Sequence, residues 1–262
     1  MAGKGRRAVI AVLISLGTLG LLTLPAGAER AQSGNLIVSL KGGIIPRKLP
    51  RDRQAPVGVR LIGGVETSDD APLPRVKRVK LALAFRGLVD TKGLPVCPRA
   101  ILRIADSGQA MEDCGPALIG RGKLYARVFV PHQLPFGAHS RLLAFNGKTK
   151  KGGPAVWVHA YSTDPPVSFV LPFRVRRQPG RFRTVLETVV PRTVGPWPRF
   201  AHFQITVGRE FMHRGKPHSY LNASCPLPAG WTSGFLSFAR ATFSFTDAPD
   251  LTTESVRSCR AR

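Results

Sequence analysis

The sequence predicts an all-β fold, an antiparallel β-sandwich with at most short helical turns, and three observations carry that expectation. Apolar side chains recur with a period of two along most of the chain, the spacing that puts alternate residues on one face of a strand. Clusters of Gly, Pro and Asn punctuate these runs at close intervals, as hairpin connections require. Parallel βαβ layering would need amphipathic helices between strands, and only residues 99–113 suit short helical turns, with Ser107 as a helix N-cap. Jelly-roll-like and two-lobed versions of the sandwich fit the same pattern.

Taken in order, Leu36, Val38 and Leu40 share a face, and Val57, Val59 and Leu61 repeat the habit. Val79, Leu81, Leu83 and Phe85 point one way, with Lys80, Ala82, Ala84 and Arg86 opposite. Residues 124–130, 141–145 and 155–161 read the same way. Phe169, Leu171, Phe173 and Val175 form another inward set, as do Phe203, Ile205 and Val207. Ala239, Ala241, Phe243 and Phe245 complete the series, backed by Arg240, Thr242, Ser244 and Thr246. Turns are expected at Lys41-Gly42-Gly43, Asn146-Gly147, Lys151-Gly152-Gly153 and Arg214-Gly215-Lys216-Pro217. Residues 41–70, rich in Pro, Gly and Arg, read as a poorly packed stretch.

The 262 residues are 43% hydrophobic, too apolar for wholesale disorder, and Gly and Pro show no three-residue period for collagen. Residues 29–262 read as one β-sandwich-type domain. The seam at Arg177-Gln178-Pro179-Gly180 is too short for a flexible linker, so it reads as a loop within a continuous β assembly.

Residues 1–28 have the pattern of a signal peptide. Lys4, Arg6 and Arg7 precede a charge-free stretch over residues 8–24, and Pro25 with the small residues Ala26, Gly27 and Ala28 marks cleavage after Ala28. An uncleaved anchor is the alternative, the apolar stretch lying at the lower edge of spanning length. The expected location is extracytoplasmic, secreted or associated with the cell envelope. Arg and Lys number 39 against 15 Asp and Glu, a net charge of +24, so the protein is strongly basic.

Four cysteines in an exported chain suggest two disulfides. Three connectivities exist, and sequence order favours Cys97 with Cys114 and Cys225 with Cys259. Loops of those lengths correspond to roughly 3 and 4 kcal/mol in the chain-entropy account. A zinc site is disfavoured, because there is no C-x-x-C and no His stands at ligand spacing from Cys97 or Cys114. No metal or other cofactor is expected.

No catalytic residue is assigned. Gly147-Lys148-Thr149 resembles the end of a phosphate-binding loop, but Leu142 stands where that loop needs its first glycine, so a hairpin turn is expected and a nucleotide cofactor is not. His213 and His218 flank a cationic loop, which opposes a divalent ion. His159 and His202 lie in predicted strands, and His132 and His139 in loops. The chain lacks G-x-S-x-G and H-E-x-x-H. Asp90, Asp164, Glu187 and Glu210 are the carboxylates near strands, few for a glycosidase.

The arginines offer a binding surface instead. Arg75, Lys77, Arg78 and Lys80 lead into one strand, and Arg174, Arg176, Arg177, Arg181 and Arg183 surround the seam. Converging in space, they would bind an anionic envelope polymer, anionic lipid or nucleic acid, with strong salt dependence. Trp157, Tyr161, Trp197 and Phe200 interleave as stacking groups would.

Gly93-Leu94-Pro95-Val96-Cys97-Pro98, residues 114–120, Leu143-Ala144-Phe145-Asn146-Gly147, residues 169–173 and residues 218–226 together resemble a set of uncharacterised exported actinobacterial proteins. The resemblance covers most of the chain after residue 28. It implies an extracytoplasmic setting and paired cysteines, and it supplies no catalytic residue. The expected function is that of a non-catalytic exported β-protein, binding or structural. A polyanion-binding module and a carbohydrate-active enzyme are the alternatives.

Overall fold

The computed structural model describes residues 29–84, 88–191 and 195–262. The signal-peptide segment 1–28, and Phe85 and Arg86 of the third predicted strand, lie outside the described residues. The fold is all-β and dominated by antiparallel pairing. The strands are β1 (Arg30–Ser33), β2 (Leu36–Ile45), β3 (Lys48–Leu49), β4 (Ala55–Pro56), β5 (Gly58–Thr67), β6 (Val76–Leu83) and β7 (Leu88–Val89). After two short helices, α1 (Arg99–Leu102) and α2 (Ser107–Cys114), come β8 (Leu118–Val128), β9 (Phe136–Lys148), β10 (Pro154–Thr163), β11 (Pro166–Arg177) and β12 (Thr184–Val189). The chain ends with β13 (Pro198–Val207), β14 (Glu210–His213), β15 (Lys216–Ser219), β16 (Leu221–Ala223), β17 (Ser233–Phe245) and β18 (Leu251–Ala261).

Thirteen of these strands form one sheet in the order β1-β2-β5-β13-β8-β9-β10-β11-β12-β6-β17-β18-β3. The expected sandwich therefore takes the form of a single sheet curled back on itself. Its two ends meet where β18 and β17 pack against β1 and β2. That closure has no ladder between β18 and β2. It rests on side chains: Arg257 binds the Gly42 carbonyl and pairs with Glu29, and Phe238 of β17 reaches across to β2. Gly42 permits this approach, since a Cβ there would come 2.8 Å from the Phe238 ring.

Lys41-Gly42-Gly43 is thus not a turn but the middle of β2, and most of the stretch 41–70 lies in β2 to β5, with Ile44, Leu49, Val57, Val59 and Leu61 buried. Asn146-Gly147 also departs from expectation, because β9 runs through it to Lys148. Asn146 is buried and donates to the Pro95 carbonyl at 2.9 Å, while the Trp157 indole occupies the space beside Gly147 where any side chain would stand. The turn expected at Lys151-Gly152-Gly153 does form, with Gly152 at a positive φ of 80°. Arg214-Gly215 connects β14 to β15 as a two-residue hairpin loop, with φ of 51° and 73°.

The period-two pattern sorts inside from outside. On β9, Leu142 and Ala144 face the interior, while Leu143 and Phe145 face outward beneath the helical excursion and join a separate cluster with Leu102, Ala110 and Trp157. Asp106, not Ser107, caps α2: its carboxylate accepts from the Gln109 amide at 2.9 Å, a fit that carboxylates make readily with first-turn amides. The Cys97–Cys114 disulfide closes this excursion on the outer wall, and Cys225–Cys259 ties the chain beyond β16 to β18, both as expected.

His159 anchors the same excursion. It is fully buried, with Nε2 2.9 Å from the Ala105 carbonyl and 3.1 Å from Ser168 Oγ. Since a carbonyl only accepts, Nε2 carries the proton. Burial pushes the imidazole below its ordinary acidity value, with the Ala105 hydrogen bond and the Asp106 charge opposing, so the neutral ring is the favoured form.

Candidate functional site

Between the curved walls lies a cavity of about 800 Å³. Inward residues of β5, β6, β8 to β13 and β17 line it, among them Leu81, Leu124, Leu142, Val158, Phe173 and Phe200. Alternation explains why: nine neighbouring strands each turn one apolar face inward, and the curl is too wide for those faces to meet. Small residues on adjacent strands, Ala126 on β8 with Ala138 and Ala144 on β9, widen the space further.

One end is closed. A three-stranded sheet of β4, β16 and β7 pairs Asn222 with Pro56 and Leu221 with Val89, and Val89, Tyr220 and Leu221 form the cavity floor. Tyr220 is almost wholly buried there, and burial pushes its phenol above the ordinary value, keeping it protonated. The opposite end reaches solvent: Phe136, Val167, Val189 and Trp197 line the cavity yet stay 38%, 42%, 53% and 43% exposed. These residues sit where β9, β11 and β13 begin and β12 ends, so they mark a mouth.

Among the described residues lining the cavity, Arg75 and Lys77 are the charged ones, and both stand at the mouth where β6 begins. Thr246 lines the same end, and its amide donates to the Arg75 carbonyl at 3.0 Å. The Arg75 amide in turn donates to Asp247 at 3.2 Å. Arg199 lies close by; burial pushes its guanidinium down from the ordinary value, the Arg75 charge adds to that and Asp247 opposes it. Arg127 and Arg199, paired across β8 and β13, flank the Phe129 ring at 5.6 and 5.9 Å.

The sequence grouped Arg75, Lys77, Arg78 and Lys80, and β6, irregular between Val76 and Arg78, divides them. Arg75 and Lys77 go to the cavity mouth, whereas Arg78 and Lys80 face outward. There they join Arg174 and Arg176 of β11 around Glu187, which pairs with Arg78 at 2.8 Å and with Arg176. Arg177, Arg181 and Arg183 belong to the end of β11 and the β11–β12 loop, with Arg181 and Arg240 sharing Glu254 at 3.7 and 3.0 Å. Phe182 tucks beneath Arg240 at 4.4 Å and covers Ala82 and Val185.

The aromatic series does not form one platform. Trp157 is buried under the helical excursion, Phe200 lines the cavity, and Trp197 stands at the mouth. His139 is a strand residue of β9, not a loop residue, and its ring packs on Tyr125 at 4.8 Å. His213 and His218 do approach, ring centroids 5.6 Å apart, and His218 Nδ1 lies 3.1 Å from Asp90 Oδ2. No group of three such ligands assembles among the described residues. Nor does any carboxylate line the cavity among them: Asp90 partners His218, Glu187 lies on the outer wall, and Glu210 is exposed on β14. No protein-family model matches the chain, and neither a curated protein nor a solved structure shows significant similarity to it.

Proposed function

We propose that this is a non-catalytic binding protein that encloses an apolar ligand within its curled sheet. The observation that carries the reading is the cavity of about 800 Å³, lined mostly by apolar side chains, closed at the floor and open at one end. Its size falls within the roughly 300–1,000 Å³ of small-molecule sites. Water filling such a space makes few hydrogen bonds with the wall, so an apolar molecule replaces it favourably. Two disulfides, which form and persist in oxidising compartments, support an extracytoplasmic setting, and the N-terminal pattern extends this to export and an envelope-associated or secreted role.

Titration with N-phenyl-1-naphthylamine, a neutral apolar fluorophore, tests the reading. Saturable binding at one site per chain is expected, with blue-shifted emission. Ala138→Trp places a large side chain inside the cavity and should abolish binding while the far-ultraviolet circular dichroism stays that of the wild type. Ala138 is buried on β9 and lines the cavity. Native mass spectrometry of the extracted protein supplies a second readout of the same occupancy. Non-saturable binding, or equal binding by the Trp variant, overturns the proposal.

A second reading is surface binding of an anionic envelope polymer, favoured by the four outward cations Arg78, Lys80, Arg174 and Arg176 around the single Glu187. It predicts retention on heparin that falls steeply with salt and weakens in Arg174→Gln/Arg176→Gln. Retention persisting in molar salt rules it out.

A further inference from the structure

Resting on the container reading, we infer that the ligand is an amphiphile with an anionic head, held tail-inward with its head between Arg75 and Lys77 at the cavity mouth. Several independent features converge on this. The cavity wall is mostly apolar, with Ser140, Ser162 and Tyr220 its buried polar residues, and its charged lining residues among those described are both cations, both at the open end. Neither side chain makes an ion pair among the described residues, while Arg78, one position beyond Lys77 and facing the other way, is neutralised by Glu187. Asp247, the acid that acts on Arg199, accepts from the Arg75 amide rather than pairing with either side chain.

Arg199 adds a third positive group next to Arg75. Like charges held together on an apolar rim repel, and an anion placed between them relieves that repulsion. Asp247 offsets part of it at Arg199, and a neutral apolar ligand would leave the rest unrelieved. The geometry along β6 matches the two parts of such a molecule: Val79, Leu81 and Leu83 alternate into the cavity, and past a register irregularity Arg75, Val76 and Lys77 line its mouth, the run from Lys77 to Leu83 covering about 20 Å at ~3.3 Å per residue. Cations therefore stand at the water end of a long greasy channel. Carboxylate and phosphate heads satisfy the site by the same chemistry, as charge-assisted hydrogen bonds to Arg form with either.

The test uses the full-length processed protein with three probes: cis-parinaric acid, its methyl ester and dodecyl phosphate, each competed against N-phenyl-1-naphthylamine. The acid is expected to bind tighter than its ester. R75Q/K77Q should weaken the acid by about tenfold, on the scale of two partly solvated ion pairs, and weaken the ester and the neutral fluorophore far less. Both substituted residues are exposed, so folding is preserved. Dodecyl phosphate bound with the same loss shows that the charge is what is read, and its exclusion restricts the head to a carboxylate. Equal affinity for acid and ester, or an acid affinity unaffected by R75Q/K77Q, overturns the anionic head while the neutral fluorophore still reports an apolar container. Failure of the neutral fluorophore to bind removes both.

Discussion

Replacing both members of one disulfide, C225S/C259S, is expected to lower the unfolding free energy by about 4 kcal/mol, from the loss of a long loop closure in the unfolded chain. The bond spans 34 residues. It has a functional counterpart because of where it sits: Cys225 follows β16, the central strand of the cavity floor, and Cys259 belongs to β18. Loosening it frees the floor, so neutral-fluorophore affinity should fall as well. C97S/C114S is the control. It removes a 17-residue closure on the outer wall, should cost about 3 kcal/mol, and should leave fluorophore affinity as it was. Urea unfolding with fluorescence titration of both variants checks this; an equal effect of the two on binding would contradict the placement of the floor.

The second large effect is expected at Phe238. This side chain is 1% exposed and joins β17 to β2 where the sheet closes without a ladder. Phe238→Ala should destabilise the protein by about 3–5 kcal/mol, the range for deleting a buried phenyl ring. Ladder hydrogen bonds hold every other junction of the curl, so packing has to share this one with the Arg257 contacts to Gly42 and Glu29. Urea denaturation measures the loss, and a value below about 1 kcal/mol would mean that the seam is held by something other than this ring.

The strands could be read from the sequence wherever their buried face is hydrocarbon. Val79-Leu81-Leu83, Phe169-Leu171-Phe173 and Ala239-Ala241-Phe243 announce themselves by alternation. β18 does not, because its buried positions include Thr253 and Ser255, and polar groups in a ladder carry no hydropathy signal. Glycine misled at Gly42 and Gly147: it was read as a bend, but at both places it makes room for an aromatic ring arriving from another strand.

The cavity itself was beyond sequence reasoning for a simple reason. Residues lining a wide enclosure and residues packed in a sandwich show the same alternation, and only the curvature of the sheet tells them apart. The division of the basic cluster is not legible from spacing either. Residues two apart on a strand share a face, but the ladder is irregular between Arg78 and Val76, so alternation cannot be counted back from Val79 to Lys77 and Arg75.

The methyl-lined wall at Ala126, Ala138 and Ala144 gives the enclosure an adjustable bore. Ala126 and Ala138 border that space, so lengthening a side chain at either narrows the lumen, whereas Ala144 is packed in the core and tolerates less. The size of guest admitted can therefore change one substitution at a time, while the exterior, its charges and its sulfur bridges stay as they are.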